Sequence, residues 1–233
     1  MGRRVLELPL DVAPDAAVAA ARAASHIAER LRDGLASRGL ATLALSGGSS
    51  PLPLYAALAE ATLDWRHVHV FQVDERVVPR GDPARNLEAI ARAFVAGGPL
   101  PAANLHAMPV ESSDGCAAYA GELARLAGDP PRLDVIQLGL GTDGHTASLF
   151  PGDEALAVGG RDVAFTGTLA GYRRMTLTYP ALERARALVW FAPGAAKATP
   201  IAALVKGDRA IPAGRVARAR ARAFVDAAAA PRS

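Results

Sequence analysis

The sequence predicts an α/β protein built on a largely parallel sheet with helices on both faces. Short apolar runs of buried-strand type recur at residues 41–46, 68–73, 134–140 and 187–191, separated by segments whose apolar positions fall at helical spacing. Strands that alternate with helices pair in parallel, because the crossover helices cover both faces of the sheet. At 233 residues, 51% hydrophobic and 21% charged, the chain is long enough for one sizeable core. No linker, repeat or low-complexity tract divides it, so a single domain over 1–233 is expected, with its core at about 15–226.

Val5 to Leu10 reads as a short strand, at a sheet edge because of Pro9. Pro14 to about Ser37 has helical periodicity, with Arg22, Arg30 and Arg32 on the polar face and Gly39 as terminator. The strand 41–46 leads through Ser46-Gly47-Gly48-Ser49-Ser50 into a helix from Pro51 to Glu60. The strand 68–73 is followed by a loop, DERVVPRGDP, and a helix over 84–95. A helix over 114–127, a strand over 134–140 and the loop GTDGHTASLFPG come next. Strands at 174–178 and 187–191, a helix at 194–205 and a strand at 220–225 complete the order, and the alanine-rich tail after Asp226 is expected to fray. The loops after the strands at 41, 68 and 134 leave carboxyl ends, where open α/β sheets place their ligands. The site is expected there.

The Ser46 to Ser49 loop has the chemistry of an anion cradle: glycines admit close backbone approach, serines add donors, and a helix N-terminus follows. It lacks the GK[ST] ending of a nucleotide-binding loop, and an ordinary βα turn capped by a serine is the plainer alternative. GLGTDG (139–144) matches a dinucleotide fingerprint in letters only, because Phe150, Pro151 and Gly152 cut off the helix that the fingerprint requires. His145, in the loop after that strand, is the candidate catalytic base. His67 and His69 read as one face of a strand, His26 as part of the first helix and His106 as part of an irregular stretch. No histidine or cysteine cluster has metal-ligand spacing, so neither a metal nor a cofactor is expected. Arg76, beyond the strand 68–73 and next to Asp74 and Glu75, is placed to grip a phosphate. Lys197 lies near a helix start, where a cation opposes the dipole unless an anion is bound nearby.

The formal charge is +3, and lysine occurs only at 197 and 206, so all but two of the 26 basic residues are arginine. The resulting pI of about 9.4 raises nucleic acid, membranes and small anions as partners. Apolar runs too short to span a bilayer exclude a transmembrane helix, and the segment after Met1 lacks a secretory pattern. The single Cys116, read as an inert and at least half-buried thiol, places the protein in a reducing cytoplasm and excludes a disulfide scaffold. The arginines at 215, 218, 220 and 222 read as one face of an exposed strand rather than a nucleic-acid stripe. No nucleic-acid or membrane partner is expected, and no unpaired amphipathic helix asks for an oligomer, so a monomer is expected.

Taken together, SGGSSP, VFQVDERVVPRGDPARN, DVIQLGLGTDGHTASLFPG, RRMTLTYPAL and PGAAKATPIAALVKG resemble, in order and spacing, the 6-phosphogluconolactonase family and its wider superfamily of sugar-phosphate isomerases. The resemblance implies a Rossmann-like fold without a nucleotide and hydrolysis of a phosphorylated sugar lactone. It implies that Ser46, Gly47, Gly48, Ser49, Arg76 and Lys197, with Arg174 as a further candidate, hold the phosphate. It also implies that His145 is the general base, that Asp143 or Asp74 orients it, and that amides of Gly141 to Gly144 meet the oxyanion. The amino-sugar deaminases of the superfamily are the alternative. They carry a glutamate five residues after the histidine, where this chain has Phe150, and a tyrosine where it has Arg76. A non-enzymatic sugar-phosphate or nucleic-acid-binding module is the remaining alternative.

Overall fold

The computed structural model describes residues 8–231. Seven strands form an all-parallel sheet: β1 (Leu10–Ala13), β2 (Ala41–Leu45), β3 (Val68–Gln72), β5 (Leu105–His106), β6 (Val135–Leu138), β9 (Ala187–Phe191) and β10 (Ala221–Asp226), in the order β1-β10-β9-β6-β2-β3-β5. Three further strands, β4 (Asp74–Arg76), β7 (Val163–Phe165) and β8 (Arg174–Leu177), make a small antiparallel sheet in the order β4-β8-β7. The helices are α1 (Ala16–Arg38), α2 (Leu52–Ala59), α3 (Asn86–Phe94), α4 (Gly115–Ala127), α5 (Tyr179–Arg184) and α6 (Ala198–Lys206).

The continuous apolar runs are explained by two cores, one on each face of the large sheet. Leu43, Val70, Val135 and Val189 pack with Ile27 and Leu31 of α1, Leu54 and Leu58 of α2, and Phe94 of α3. Ala44, Phe71, Ile136 and Trp190, their immediate neighbours in sequence, point the other way into α4, α5, α6 and the small sheet, through Leu123, Leu182, Ile201 and Met175. A strand buried on both sides has no polar face to alternate with, which is why period-two patterning is absent. Helix α1 starts where the Asp15 side chain accepts the Val18 N–H at 2.8 Å and ends at Gly39, whose φ of 73° is left-handed.

Several expectations are corrected. Half of the segment Val5–Leu10 lies outside the described residues, and the edge strand that is described runs over Leu10–Ala13. DER is not loop: it is β4, paired with β8, so both belong to the small sheet. His67 sits in a 3-10 turn and not on a strand, whereas His106 lies in β5, its Nε2 3.0 Å from Nδ1 of His69. The helix expected from Gly194 begins as a 3-10 turn, Ala195–Lys197, before α6. The stretch 218–222 is not one exposed strand. Strand β10 starts only at Ala221 and lies between β1 and β9, and the Arg218 side chain folds back to donate to the Val205 carbonyl.

Candidate active site

The carboxyl ends of β2, β3 and β6 and the N-terminus of α6 converge on a cavity of about 200 Å³. His145 lines it, as do Asp74, Arg76, Arg174, Lys197, Ser46, Gly47, Gly48 and Gly141. Four segments far apart in sequence thus supply one site, from both sheets.

The loop after β6 folds tightly on itself. The Gly141 N–H donates to the His145 carbonyl at 2.8 Å and the Gly144 N–H to the Gly141 carbonyl at 3.1 Å. A Cβ on Gly141 would lie 2.1 Å from Nδ1 of His145, so the imidazole reaches its position only over a glycine. His145 Nδ1 lies 2.6 Å from Oδ1 of Asp143, which also accepts the His145 backbone N–H at 3.1 Å. Burial pushes the Asp143 carboxyl up, but these hydrogen bonds outweigh it and the group lies below its ordinary value. An ionised Asp143 accepting from Nδ1–H leaves Nε2 as the ring's proton acceptor. The imidazole packs on Phe150, ring centroids 4.2 Å apart, and the Arg174 guanidinium lies 5.0 Å from the same ring.

Ala147, at φ 52°, turns the chain so that the Ser148 hydroxyl donates to Asp74 at 2.6 Å. Asp74 is thereby engaged elsewhere than on the imidazole. Burial raises its carboxyl above the ordinary value despite that hydrogen bond, and neighbouring Glu75 adds to the rise. Glu75 turns the other way, fully buried, and accepts the N–H groups of Arg76, Asn86 and Leu87 at 2.7, 2.8 and 2.9 Å and the Gln72 amide at 2.7 Å. It holds β4 against the first turn of α3, where an anion also suits the helix dipole.

Arg76 and Arg174 are direct partners in the β4–β8 register. Like charges opposite one another across a strand pair are unfavourable, and each guanidinium also has a buried Nε without a hydrogen-bond partner. Burial lowers the Arg174 value, and Arg76 adds to it against the opposing effect of Asp74. Lys197 occupies the N-cap of α6, its amine lowered by burial and partly restored by Asp143. Three cations in one cavity wall, two of them opposed and one at a helix N-terminus, fit an anionic ligand of more than one charge.

The glycine-serine loop divides its roles. Ser46 is structural: its N–H and hydroxyl donate to Gln137 Oε1 and the Gln137 carbonyl at 3.2 and 3.1 Å, and its carbonyl accepts from the Tyr55 hydroxyl. A Cβ on Gly47 would fall 1.9 Å from the Asn86 side chain. Ser49 is exposed and outside the wall, where Ser50 takes its place, and no serine side chain caps α2. The amides of Gly141 and Gly144 are corrected as oxyanion donors, since both are spent within their own loop. Gly144 is outside the wall as well, facing Ile211.

Sequence reasoning missed Asn86, which lines the cavity and donates from Nδ2 to the Asp74 carbonyl at 2.9 Å. Its one signal was position, an amide at the start of a helix just after a charged strand end. Ser148, unremarked within TDGHTASLFPG, had no signal beyond its polarity in an apolar stretch. Among the described residues no group of three or more His, Cys, Asp or Glu is placed to hold a metal ion, and no helix is long and apolar enough to cross a membrane.

The family described as glucosamine-6-phosphate isomerases/6-phosphogluconolactonase matches residues 14–225. A 6-phosphogluconolactonase of Synechocystis is 43% identical over 183 residues, 76% of each chain. One from Mycobacterium tuberculosis is 34% identical over 214 residues, covering 85% of this chain and 86% of the relative. The crystal structure of a 6-phosphogluconolactonase from Shewanella baltica superposes with a TM-score of 0.83 at 27% identity, over 96% of this chain and 99% of that one. A monomeric glucosamine-6-phosphate deaminase shares the fold, with a TM-score of 0.82 at 15% identity over 95% and 98% of the two chains.

Proposed function

Since this chain belongs to the family of glucosamine-6-phosphate isomerases and 6-phosphogluconolactonases, we propose that its cavity hydrolyses 6-phospho-D-glucono-1,5-lactone to 6-phospho-D-gluconate, with His145 activating the water. The observation that carries the reading is one cavity that gathers Arg76, Arg174 and Lys197 with an imidazole whose Nδ1 is held by Asp143 at 2.6 Å. The cations and the Gly47–Gly48 backbone take the phosphate and fix the lactone carbonyl near His145. Water attacks C1 as its proton passes to Nε2. The bond from C1 to the ring oxygen then breaks, and the ring oxygen takes that proton from Nε2–H, so water has added across the ester with nothing left over. Asp143 keeps the tautomer and stabilises the transient imidazolium. A lactone is an activated ester, and one base with positioning is sufficient chemistry.

Lactonase is favoured over deaminase by Phe150, which presents a buried aromatic ring to His145 where the deaminase relay would need a carboxylate. We read the whole chain as one such domain, acting in the cytoplasm as a monomer and needing neither metal nor cofactor. The test is His145→Asn, assayed on freshly prepared lactone and on glucosamine 6-phosphate, with and without chelator. Lactonase activity should fall by about 10²–10⁴ in the variant, the usual contribution of a general base. Full activity in the variant, or turnover of the amino sugar by the parent protein, overturns the assignment.

A further inference from the structure

The arginine excess is not spread evenly. Five arginines have an acid of their own: Arg22 with Asp11, Arg30 with Asp33, Arg66 with Asp64, Arg125 with Glu122 and Arg184 with Asp162. Others are scattered singly, and one group stands out by being gathered in space. Four neighbouring strands of the parallel sheet, β10, β9, β6 and β2, are each preceded at their amino end by an arginine: Arg220, Arg186, Arg132 and Arg38. Strands in a sheet lie about 4.8 Å apart, and a parallel arrangement puts all four amino ends on one edge, opposite the catalytic cavity.

One buried carboxylate lies among them, and Asp33, paired with Arg30, borders the adjoining concavity. Asp134 is buried and saturated: Oδ1 meets Arg38 and, at 3.3 Å, Arg186, while Oδ2 accepts the Thr42 N–H and hydroxyl at 2.9 and 3.1 Å. The side chains of Arg132 and Arg220 have no hydrogen bond or ion pair among the described residues. Burial lowers the Arg186 value, and Arg38, Arg132 and Arg220 lower it further. Arg38 is explained without a ligand, because it ends α1 and suits the negative end of the helix. The other three lie in connecting segments, where no helix accounts for them. Arg38, Arg132 and Arg186 line a concave site of about 270 Å³ together with Asp134 and Thr42, and Arg220 lies outside that wall.

We propose that this pole is a second anion site, separate from the catalytic cavity, which takes a small molecule bearing more than one phosphate charge. The concavity favours a compact polyanion over an extended one, and the unpaired guanidinium fork of Arg132 in its wall, with that of Arg220 beside it, supplies directional donors for phosphate oxygens.

Inorganic pyrophosphate, titrated calorimetrically into the full chain at constant ionic strength, tests the assignment. The double variant Arg132→Gln/Arg220→Gln should lose one equivalent of binding, or weaken it at least tenfold, with lactonase kcat and KM unchanged. Because neither side chain has a partner, its thermal transition should match that of the parent protein. Arg76→Gln, in the other cavity, should keep that equivalent, so the result does not depend on the lactonase reading. Unchanged stoichiometry and affinity in the double variant overturns the proposal. So does retention of an RNA oligonucleotide that the double variant abolishes while pyrophosphate fails to bind, since the pole would then serve an extended polyanion.

Discussion

Asp143→Asn isolates the electrostatic part of the mechanism, because it leaves the size of the side chain unchanged. In the parent protein one carboxylate oxygen accepts both the imidazole Nδ1–H at 2.6 Å and the His145 N–H at 3.1 Å. An amide oxygen preserves both contacts but removes the charge. A hydrogen bond to a charged group contributes about 1.5–3 kcal/mol against about 0.5–1.5 kcal/mol for a neutral one. The difference that matters arises as the ring becomes imidazolium, and a loss of about 1.4 kcal/mol there slows the reaction roughly tenfold. Where the amide turns its NH₂ group toward Nδ1, the ring proton is forced onto Nε2 and the base is lost, which extends the effect toward the full general-base contribution of about 10²–10⁴. Because Asp143 is outside the cavity wall, KM should move less than about threefold, a ground-state change well under 1 kcal/mol. The assay is initial-rate hydrolysis of fresh lactone at neutral pH, corrected for spontaneous opening. A variant with kcat within twofold of the parent, or one that loses only KM, refutes the role assigned to Asp143.

Asp74→Asn is expected to stabilise the protein. Burial raises the folded-state value of this carboxyl, so its proton is held more tightly in the folded chain than in the unfolded one. The stability it contributes is present below the unfolded value of about 4 and is lost as pH rises through the folded value. The gain in Tm should therefore be larger at pH 7 than at pH 4, and scanning calorimetry showing an equal or reversed difference contradicts the argument. Gly47→Ala drives a methyl to within 1.9 Å of Asn86 and should cost about 1–3 kcal/mol by overpacking. It should also lower activity, since Asn86 is tied to the Asp74 carbonyl at the cavity wall. Urea denaturation with an unchanged midpoint would show that the loop has room after all.

The readings that held are those in which a local pattern has a local cause. The end of α1 follows from Gly39, and the strands of the double-sided sheet from unbroken apolar runs between helical segments. Of the small antiparallel sheet only β8 was legible, as the strand expected at 174–178; β4 is the three charged residues DER, and nothing local pairs Asp74–Arg76 with Arg174–Leu177 about a hundred residues away. The same distance hid the opposition of Arg76 to Arg174. Within the loop after β6, the histidine and its neighbouring acid were legible as residue types, whereas the choice of Asp143 over Asp74 depends on Ala147 turning Ser148 toward Asp74. The oxyanion expectation failed for a related reason. Glycine-rich loops read as free amides, but in this one the Gly141 and Gly144 amides close the turn by donating to the His145 and Gly141 carbonyls.

The near absence of lysine has a chemical consequence. With side-chain amines only at 197 and 206, amine-directed acylation of this protein becomes almost a site-directed reaction. Lys197, lowered by burial, carries more of the nucleophilic neutral amine at a given pH than an unperturbed lysine does. Any cellular acyl donor that modifies lysines thus meets, in this chain, a choice between one amine on the cavity wall and one at the far end of the same helix.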